Sequence, residues 1–294
     1  GQSGSYLSSR LVGDTLYLIT RHSLPEKAKK GEKETYIPLL YAKAGCVIRH
    51  AVMTAGDVCI PPVPANRQYT VVTSADIHSP QEHTSSKTVL GAGDTLYAST
   101  ENLLLAVPRS VRGEGGRIST VTDLVRFSLD GGKIALAASG TIPGTLLNPF
   151  SMDEYGGVFR VVTTLSGGTE TVDGGVASYT PGETCNCLYT LDKDMQILGK
   201  VEGLARGEQV YSVRFLGDMG YFVTFRQVDP LFAVDLSDPA EPKVLSALKI
   251  PGFSNYLHPY APGRLFGFGQ QADPYTGAAQ GLKLSMFDVS DPAD

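Results

Sequence analysis

The sequence contains no tryptophan and only four cysteines among its 294 residues, and charged residues make up just 19% of it. No apolar stretch approaches the roughly 20 residues that a helix needs to span a bilayer, so no membrane span is predicted. The formal net charge of -5 comes without a basic stripe, which argues against a nucleic-acid-binding surface. No nucleophile elbow, phosphate-binding loop or dinucleotide fingerprint is present, and neither a catalytic residue nor a cofactor is predicted.

The cysteines lack the Cys-x-x-Cys spacing that is typical of a zinc site, so no metal site is predicted. Cys46 and Cys59 flank a possible hairpin, and they could form a disulfide if the compartment is oxidising. Cys185 and Cys187 are too close along one strand to bond easily to each other. The cysteines therefore do not define the fold.

Glycine and proline, in contrast, are plentiful, with 33 and 18 residues. They recur between short apolar runs, which indicates many short strands rather than long helices. Hydrophobic residues make up 42% of the chain, a composition typical of a folded globular protein. We therefore expect an all-β protein.

One motif repeats along the chain: an apolar strand that ends in Asp, in the clearest copies with Pro four residues later. Clear copies lie at 76–80, 235–239 and 288–292, and degenerate copies end at Asp130 and Asp192. Successive aspartates are 54, 62, 43 and 53 residues apart. Propeller blades repeat about every 40–50 residues, and loop insertions lengthen some of them.

Each repeat predicts four antiparallel strands, A to D, with the motif aspartate at the end of strand C. The predicted fold is therefore an all-β β-propeller of about five four-stranded blades, with units at roughly 5–92, 93–144, 145–206, 207–252 and 253–294. A long insertion, 21–67, interrupts the first unit, and a Gly/Ser/Thr-rich loop, 165–184, interrupts the third. The last unit has no room for strand D, so we expect three strands there and an open part of a larger propeller. A β-sandwich is the alternative, but it does not require the repeated motif.

Segments 5–19, 151–155, 211–215, 224–232 and 250–260 carry a resemblance to a known family. They are similar to bacterial secreted proteins with a β-propeller domain distantly related to WD-40 repeats. The resemblance implies an extracellular or cell-surface location, a membrane anchor in the full-length protein, and further blades beyond both ends of this chain. It implies no established activity.

Without tryptophan the Trp-Asp dipeptide of that repeat is missing. Leu191-Asp192, Val234-Asp235 and Phe287-Asp288 stand in its place. We expect these aspartates to accept backbone N–H groups in the turn between strands C and D.

Strand A of each blade lines the central channel of a propeller, so its polar residues are candidates for a ligand site. Counting back three positions from the turn glycine selects several of them, and two more polar residues come from the fourth and fifth units. The predicted ligand-binding residues are Arg10, Asp153, Glu154, Arg214, Arg226, His258 and Tyr260. Arginine offers planar donors for carboxylate or phosphate groups, whereas the competing interpretation is a set of ion pairs between blades.

Two functions remain open. The first hypothesis is a non-catalytic extracytoplasmic module that binds a protein, peptide or glycan at the channel mouth. The alternative is an enzyme, a hydrolase or lyase, with a site built from strand A residues of several blades. Convergence of Asp153 or Glu154 with Arg214 and His258 in one open pocket would favour the enzyme.

Overall fold

A computed structural model describes residues 1–25, 27, 29–44, 47–61, 63–80, 82–91, 93, 95–225, 229–250, 252–273, 276 and 278–293. The regular structure in these residues is almost entirely β-strand, interrupted only by short 3-10 turns. The chain divides into two compact units, Gly1–Val107 with Leu124–Ser139, and Pro108–Asp123 with Gly140–Asp294. The all-β prediction is confirmed.

The first sheet of the first unit combines four antiparallel strands with one parallel edge strand. In chain order the strands of this region are β1 (Ser5–Val12), β2 (Thr15–Ser23), β3 (Leu39–Ala44), β4 (Val47–Val52), β5 (Val58–Cys59), β6 (Gln68–Asp76) and β7 (Ser85–Leu90). The sheet order is β1-β2-β6-β7-β5, and β3 and β4 form a separate antiparallel pair. The segment predicted as an insertion therefore contains the β3–β4 pair and β5.

The second sheet begins in the first unit with β8 (Thr95–Ala98), β9 (Asn102–Arg112), β10 (Arg117–Asp130) and β11 (Lys133–Pro143). Strands β9, β10 and β11 run through both units. In the first unit, β2 packs against this sheet through a core that includes Tyr17, Ile19, Leu103, Leu105 and Phe127, all buried. Burial of both apolar faces is what holds neighbouring sheets of this kind together.

The second unit contains three further sheets. Its remaining strands are β12 (Met152–Tyr155), β13 (Val158–Leu165), β14 (Gly167–Asp173), β15 (Val176–Pro181), β16 (Cys185–Leu191), β17 (Ile197–Leu204), β18 (Gln209–Leu216), β19 (Met219–Phe225), β20 (Asp229–Asp235), β21 (Lys243–Ile250), β22 (Phe253–Ala261), β23 (Arg264–Ala272) and β24 (Ala279–Asp288). The sheet orders are β12-β13-β16-β17, β18-β19-β20-β21 and β22-β23-β24. Within the described residues the last sheet has three strands, as the sequence predicts.

The loop prediction for 165–184 was wrong. Most of this segment is the hairpin β14–β15, whose turn is Gly174-Gly175 with positive φ angles of 56° and 83°. Strand β14 pairs with the start of β10, and Arg112 forms an ion pair with Glu170 beside it. The hairpin carried no apolar signal in the sequence because every residue of β15 is exposed to solvent.

The motif aspartates hold the turns that follow the third strands. Four of them accept backbone N–H groups through Oδ1: Asp76 from His78 at 2.7 Å, Asp192 from Asp194 and Gln196 at 2.8 Å each, Asp235 from Ser237 at 2.9 Å, and Asp288 from Ser290 at 3.1 Å. This prediction is confirmed. At Asp130 the turn instead uses Gly131 and Gly132, whose φ angles of 50° and 89° suit glycine.

We expect the turn at Asp235 to make the stability of the fold depend on pH. Hydrogen bonds from the backbone N–H and the hydroxyl of Ser237, helped by nearby Lys243, lower the pKa of Asp235. A lowered pKa in the folded state stabilises the fold above the unfolded-state pKa of about 4, and this contribution is lost as the pH falls below it. We expect Asp235→Ala to lower the free energy of unfolding by about 1 kcal/mol at neutral pH. The difference from wild type should shrink in acid-titrated urea melts, whereas an equal loss at pH values of about 3 and 7 would contradict this account.

Candidate functional site

Three of the predicted residues occupy the same register position in their sheets. Arg10, Asp153 and Arg214 each lie in the third residue pair from the hairpin turn. Their cross-strand neighbours are Tyr17, Arg160 and Tyr221, respectively. The count from the turn glycine therefore identified equivalent positions in these sheets.

In the last sheet the count was wrong by two residues. A register shift between Pro259 and Ala261 adds a residue to β22, so His258, opposite Phe266, takes the third pair. Tyr260 falls at the irregularity and is 69% exposed. A bulge of this kind re-aims side chains and is not visible in residue spacing alone.

The guanidinium group of Arg214 lies over two aromatic rings. Its guanidinium carbon is 4.5 Å from the ring centre of Phe150 and 5.3 Å from that of Tyr256. Its Nε donates to the carbonyl oxygen of Leu257 at 2.9 Å, so the side chain on β18 reaches the neighbouring strand β22. The two rings are 5.8 Å apart, at an interplanar angle of 63°. These contacts fix the plane of the guanidinium group.

His258 joins the same cluster through Tyr256. The Tyr256 hydroxyl and His258 Nδ1 are 3.2 Å apart, and the two rings stack with their centres 6.0 Å apart. Phe150 belongs to the 3-10 turn Pro149–Ser151. Asn148 caps this turn, because its Oδ1 accepts a hydrogen bond from the Phe150 N–H at 2.9 Å. We call Phe150, Arg214, Tyr256 and His258 the Arg214 platform.

The platform is accessible to a partner molecule. Phe150 and Tyr256 remain 45% and 38% exposed, and His258 is also exposed. Within the described residues Arg214 has no carboxylate partner. A cation held on exposed aromatic surface can therefore receive both an anionic group and an apolar one.

Asp153 is engaged in a different arrangement, an ion pair between its partly exposed carboxylate and the buried Arg160 of the neighbouring strand β13. Arg160 Nε donates to Asp153 Oδ2 at 3.0 Å, and another of its nitrogens donates to the carbonyl oxygen of Gly217 in the next sheet. The Arg160 side chain is only 4% exposed and lies 4.9 Å from the ring centre of Phe215 and 5.2 Å from that of Tyr155. Sequence reasoning missed Arg160, although a lone arginine inside an apolar strand was a usable signal.

The other predicted residues take separate positions. Glu154 points away from Asp153 and lies opposite Phe159 in the register, partly exposed. Arg10 donates to Ser8 Oγ at 2.8 Å and to the Ser9 carbonyl at 2.7 Å, and it is exposed. Arg226 lies outside the described residues. The described contacts thus connect Arg214 with His258 through Tyr256, and they connect Asp153 with Arg160.

Cys187 on β16 is the most deeply buried of the described cysteines. Burial raises the pKa of its thiol, and burial likewise raises the pKa of Tyr189, whose hydroxyl donates to Glu202 at 3.0 Å. A raised thiol pKa disfavours the thiolate, which is the nucleophilic form. The Cys46–Cys59 pairing lies outside the described residues, because Cys46 is not among them.

Among the described residues, no group of three His, Cys, Asp or Glu side chains is arranged to hold a metal ion. In the same part of the chain, no helix has both the length and the apolar character needed to cross a membrane.

The repeated antiparallel sheets define a β-propeller protein. The chain belongs to the Beta propeller domain family, whose model matches residues 1–294. An uncharacterised protein of Methanocaldococcus jannaschii is 41% identical over 170 residues, a match that covers 58% of this chain and 24% of the relative. An uncharacterised protein of Archaeoglobus fulgidus is 40% identical over 170 residues, covering 58% of this chain and 23% of that relative.

The chain thus matches about a quarter of the length of these relatives. Both relatives are archaeal, so the expected bacterial origin has no support from them. The distant relation to WD-40 repeats stays a prediction.

Proposed function

We propose that this propeller is a non-catalytic binding module whose Arg214 platform binds a peptide segment of a partner protein. The segment would place a carboxylate on Arg214 and an apolar side chain against Phe150 and Tyr256. The observation that carries the proposal is the position of the Arg214 guanidinium over two exposed rings, while to the described residues it donates a hydrogen bond through Nε alone.

The geometry suits this ligand because the guanidinium group is already oriented. Arginine binds carboxylates through two parallel N–H groups, and a fixed plane reduces the side-chain entropy lost on binding. Tyrosine and arginine are also the residue types that dominate binding energy in protein interfaces. A peptide with an acidic residue is therefore favoured over a neutral glycan, which has no anionic group for the cation to bind.

Two further points support a binding role over the alternative of a hydrolase or lyase. Asp153, one of the two carboxylates named by the enzyme hypothesis, is ion-paired with buried Arg160, and Glu154 lies opposite Phe159 in the register. Catalytic acids are usually groups with perturbed pKa values in an open cleft, rather than partners of a structural arginine. We also propose an extracellular or cell-surface location and a membrane anchor in the full-length protein, which rest on the family resemblance alone.

Selection of peptides tests the proposed function. A phage-displayed library of random heptapeptides is panned on the immobilised chain, and selected peptides are measured by isothermal titration calorimetry. We expect enrichment of an acidic residue beside an aromatic or aliphatic one. Arg214→Gln should weaken the binding at least about tenfold, since charge-assisted hydrogen bonds contribute about 1.5–3 kcal/mol.

Arg10→Gln is the matched control, because Arg10 has the same register position but, among the described residues, donates hydrogen bonds to Ser8 and Ser9 alone. It should leave the affinity unchanged, and circular dichroism should show both variants folded. Equal affinities for Arg214→Gln and wild type would contradict the proposal. Binding of neutral glycans on a carbohydrate array, with no peptide selected, would favour a glycan-binding site instead.

A further inference from the structure

A cavity of about 270 Å³ lies on the first sheet and is lined by residues of the first unit alone. The face that forms its floor is set by strand pairing. Leu16 and Leu18 on β2 lie opposite Ala75 and Thr73 on β6, so these four side chains share one face. The opposite face of β2 carries Tyr17 and Ile19, which are buried in the core with the second sheet.

The β3–β4 pair covers part of the same face. Leu40 of β3 holds the pair in place, because it packs against a small buried cluster of Met53, Tyr69 and Val71 beside the cavity. Backbone hydrogen bonds also tie β3 to the first residues of the chain, from the Ser3 N–H to the Leu39 carbonyl at 2.8 Å and from the Tyr41 N–H to the Gly1 carbonyl at 2.7 Å. The cavity is therefore formed by the fold before any ligand binds.

The walls of the cavity are mainly aliphatic. They include Leu16, Leu18, Leu40, Ala42, Ala51 and Ala75. The polar groups of the floor are already satisfied: Thr73 donates to Gln2 Oε1, and Gln2 Nε2 donates to the Leu18 carbonyl at 3.2 Å and to the Val71 carbonyl at 3.0 Å. A ligand here gains by burying apolar surface, not by competing for hydrogen bonds.

Polar side chains occur where the cavity opens to solvent. His50 and His83 both line the cavity and are exposed, and Tyr41, opposite His50 in the register, is 39% exposed. Imidazole and phenol groups can both donate hydrogen bonds to a carboxylate. No described residue forms a hydrogen bond or ion pair with either histidine side chain.

We propose that this cavity binds a small amphiphilic carboxylic acid, with its aliphatic chain among the leucines and alanines and its carboxylate at His50 and His83. At about 30 Å³ for each non-hydrogen atom, close to the share of a water molecule in the liquid, the volume holds roughly nine such atoms. An acyl chain of about eight carbons has this size, so octanoate is a suitable probe.

The test uses the full chain, with octanoate, octanol and acetate as probes in saturation-transfer NMR and calorimetry. Octanoate should bind, acetate should not, and octanol should bind about tenfold more weakly because it lacks the charge. Ala42→Phe should abolish binding of octanoate and octanol by filling the cavity. Ile48→Phe is its control, since Ile48 lies on β4, is 65% exposed and does not line the cavity.

The variant His50→Ala/His83→Ala separates the two halves of the site, because it removes both hydrogen-bond donors. It should weaken octanoate about tenfold and leave octanol unchanged. Each variant is first checked for folding by circular dichroism. The proposal is overturned if octanoate does not bind at millimolar concentration, if it binds no better than octanol, or if Ala42→Phe and Ile48→Phe bind it alike.

Discussion

Replacement of Phe222 by alanine should lower the free energy of unfolding of the second unit by about 4 kcal/mol. Phe222 lies on β19, is fully buried and stacks on Phe232 with the ring centres 5.0 Å apart. The same cluster contains Val162 and Leu188 from the preceding sheet, so the ring fills the space between two sheets. Truncation loses the transfer free energy of the ring and leaves a cavity that β-strands cannot readily close.

The loss is measured by urea unfolding, followed by tyrosine fluorescence and circular dichroism, because the chain has 14 tyrosines and no tryptophan. Phe268→Ala is the matched control: Phe268 is also a strand residue, but it is 43% exposed. Its loss should be about 1 kcal/mol or less. Similar losses for the two variants would show that the Phe222 cluster does not join the sheets.

Replacement of Asp153 by alanine should cost about 3–5 kcal/mol. The reason is the partner that remains: Arg160 is 4% exposed, and among the described residues it would be left with the carbonyl oxygen of Gly217 and the rings of Tyr155 and Phe215. The free-energy penalty of leaving one charge buried without a partner is larger than the net stabilisation that the ion pair provides. Removing one member of the pair therefore destabilises the fold strongly.

Glu183→Ala serves as the control, because Glu183 pairs with Arg206 and their side chains are 57% and 67% exposed. That change should cost between about 0 and 1 kcal/mol. The double variant Asp153→Ala/Arg160→Met should recover part of the loss, since it removes the unpaired charge. Equal losses for Asp153→Ala and Glu183→Ala in urea unfolding would contradict the buried ion pair.

Features that depend on local sequence were predictable. A motif aspartate accepts N–H groups two to four residues ahead, so its turn is encoded within a few positions of the chain. The A–B hairpins follow from the alternation of apolar residues around a turn glycine. The hairpin β14–β15 escaped prediction because its strands are solvated and carry no buried face for the pattern to reveal.

The candidate site was predictable only in part. Arg214 was identified from its position before a turn glycine, but neither Phe150 nor Tyr256 could be assigned to it, since they come from a 3-10 turn and a different sheet. His258, rather than Tyr260, occupies the third residue pair from the turn because β22 contains one extra residue. Asp153 was assigned to a ligand site, and the structure pairs it with Arg160 instead.

By itself, the sequence determined the all-β class, the repeated strands and the aspartate turns, because each of these arises from interactions between residues close along the chain. Only the tertiary structure decided which polar side chains meet. Whether an arginine faces a carboxylate, a carbonyl or an aromatic ring depends on how sheets far apart in sequence pack and on single-residue register shifts. For this reason Arg160, opposite Asp153, is buried against Phe215 of the next sheet, whereas Arg214, at the strand position equivalent to that of Asp153, lies on an exposed platform.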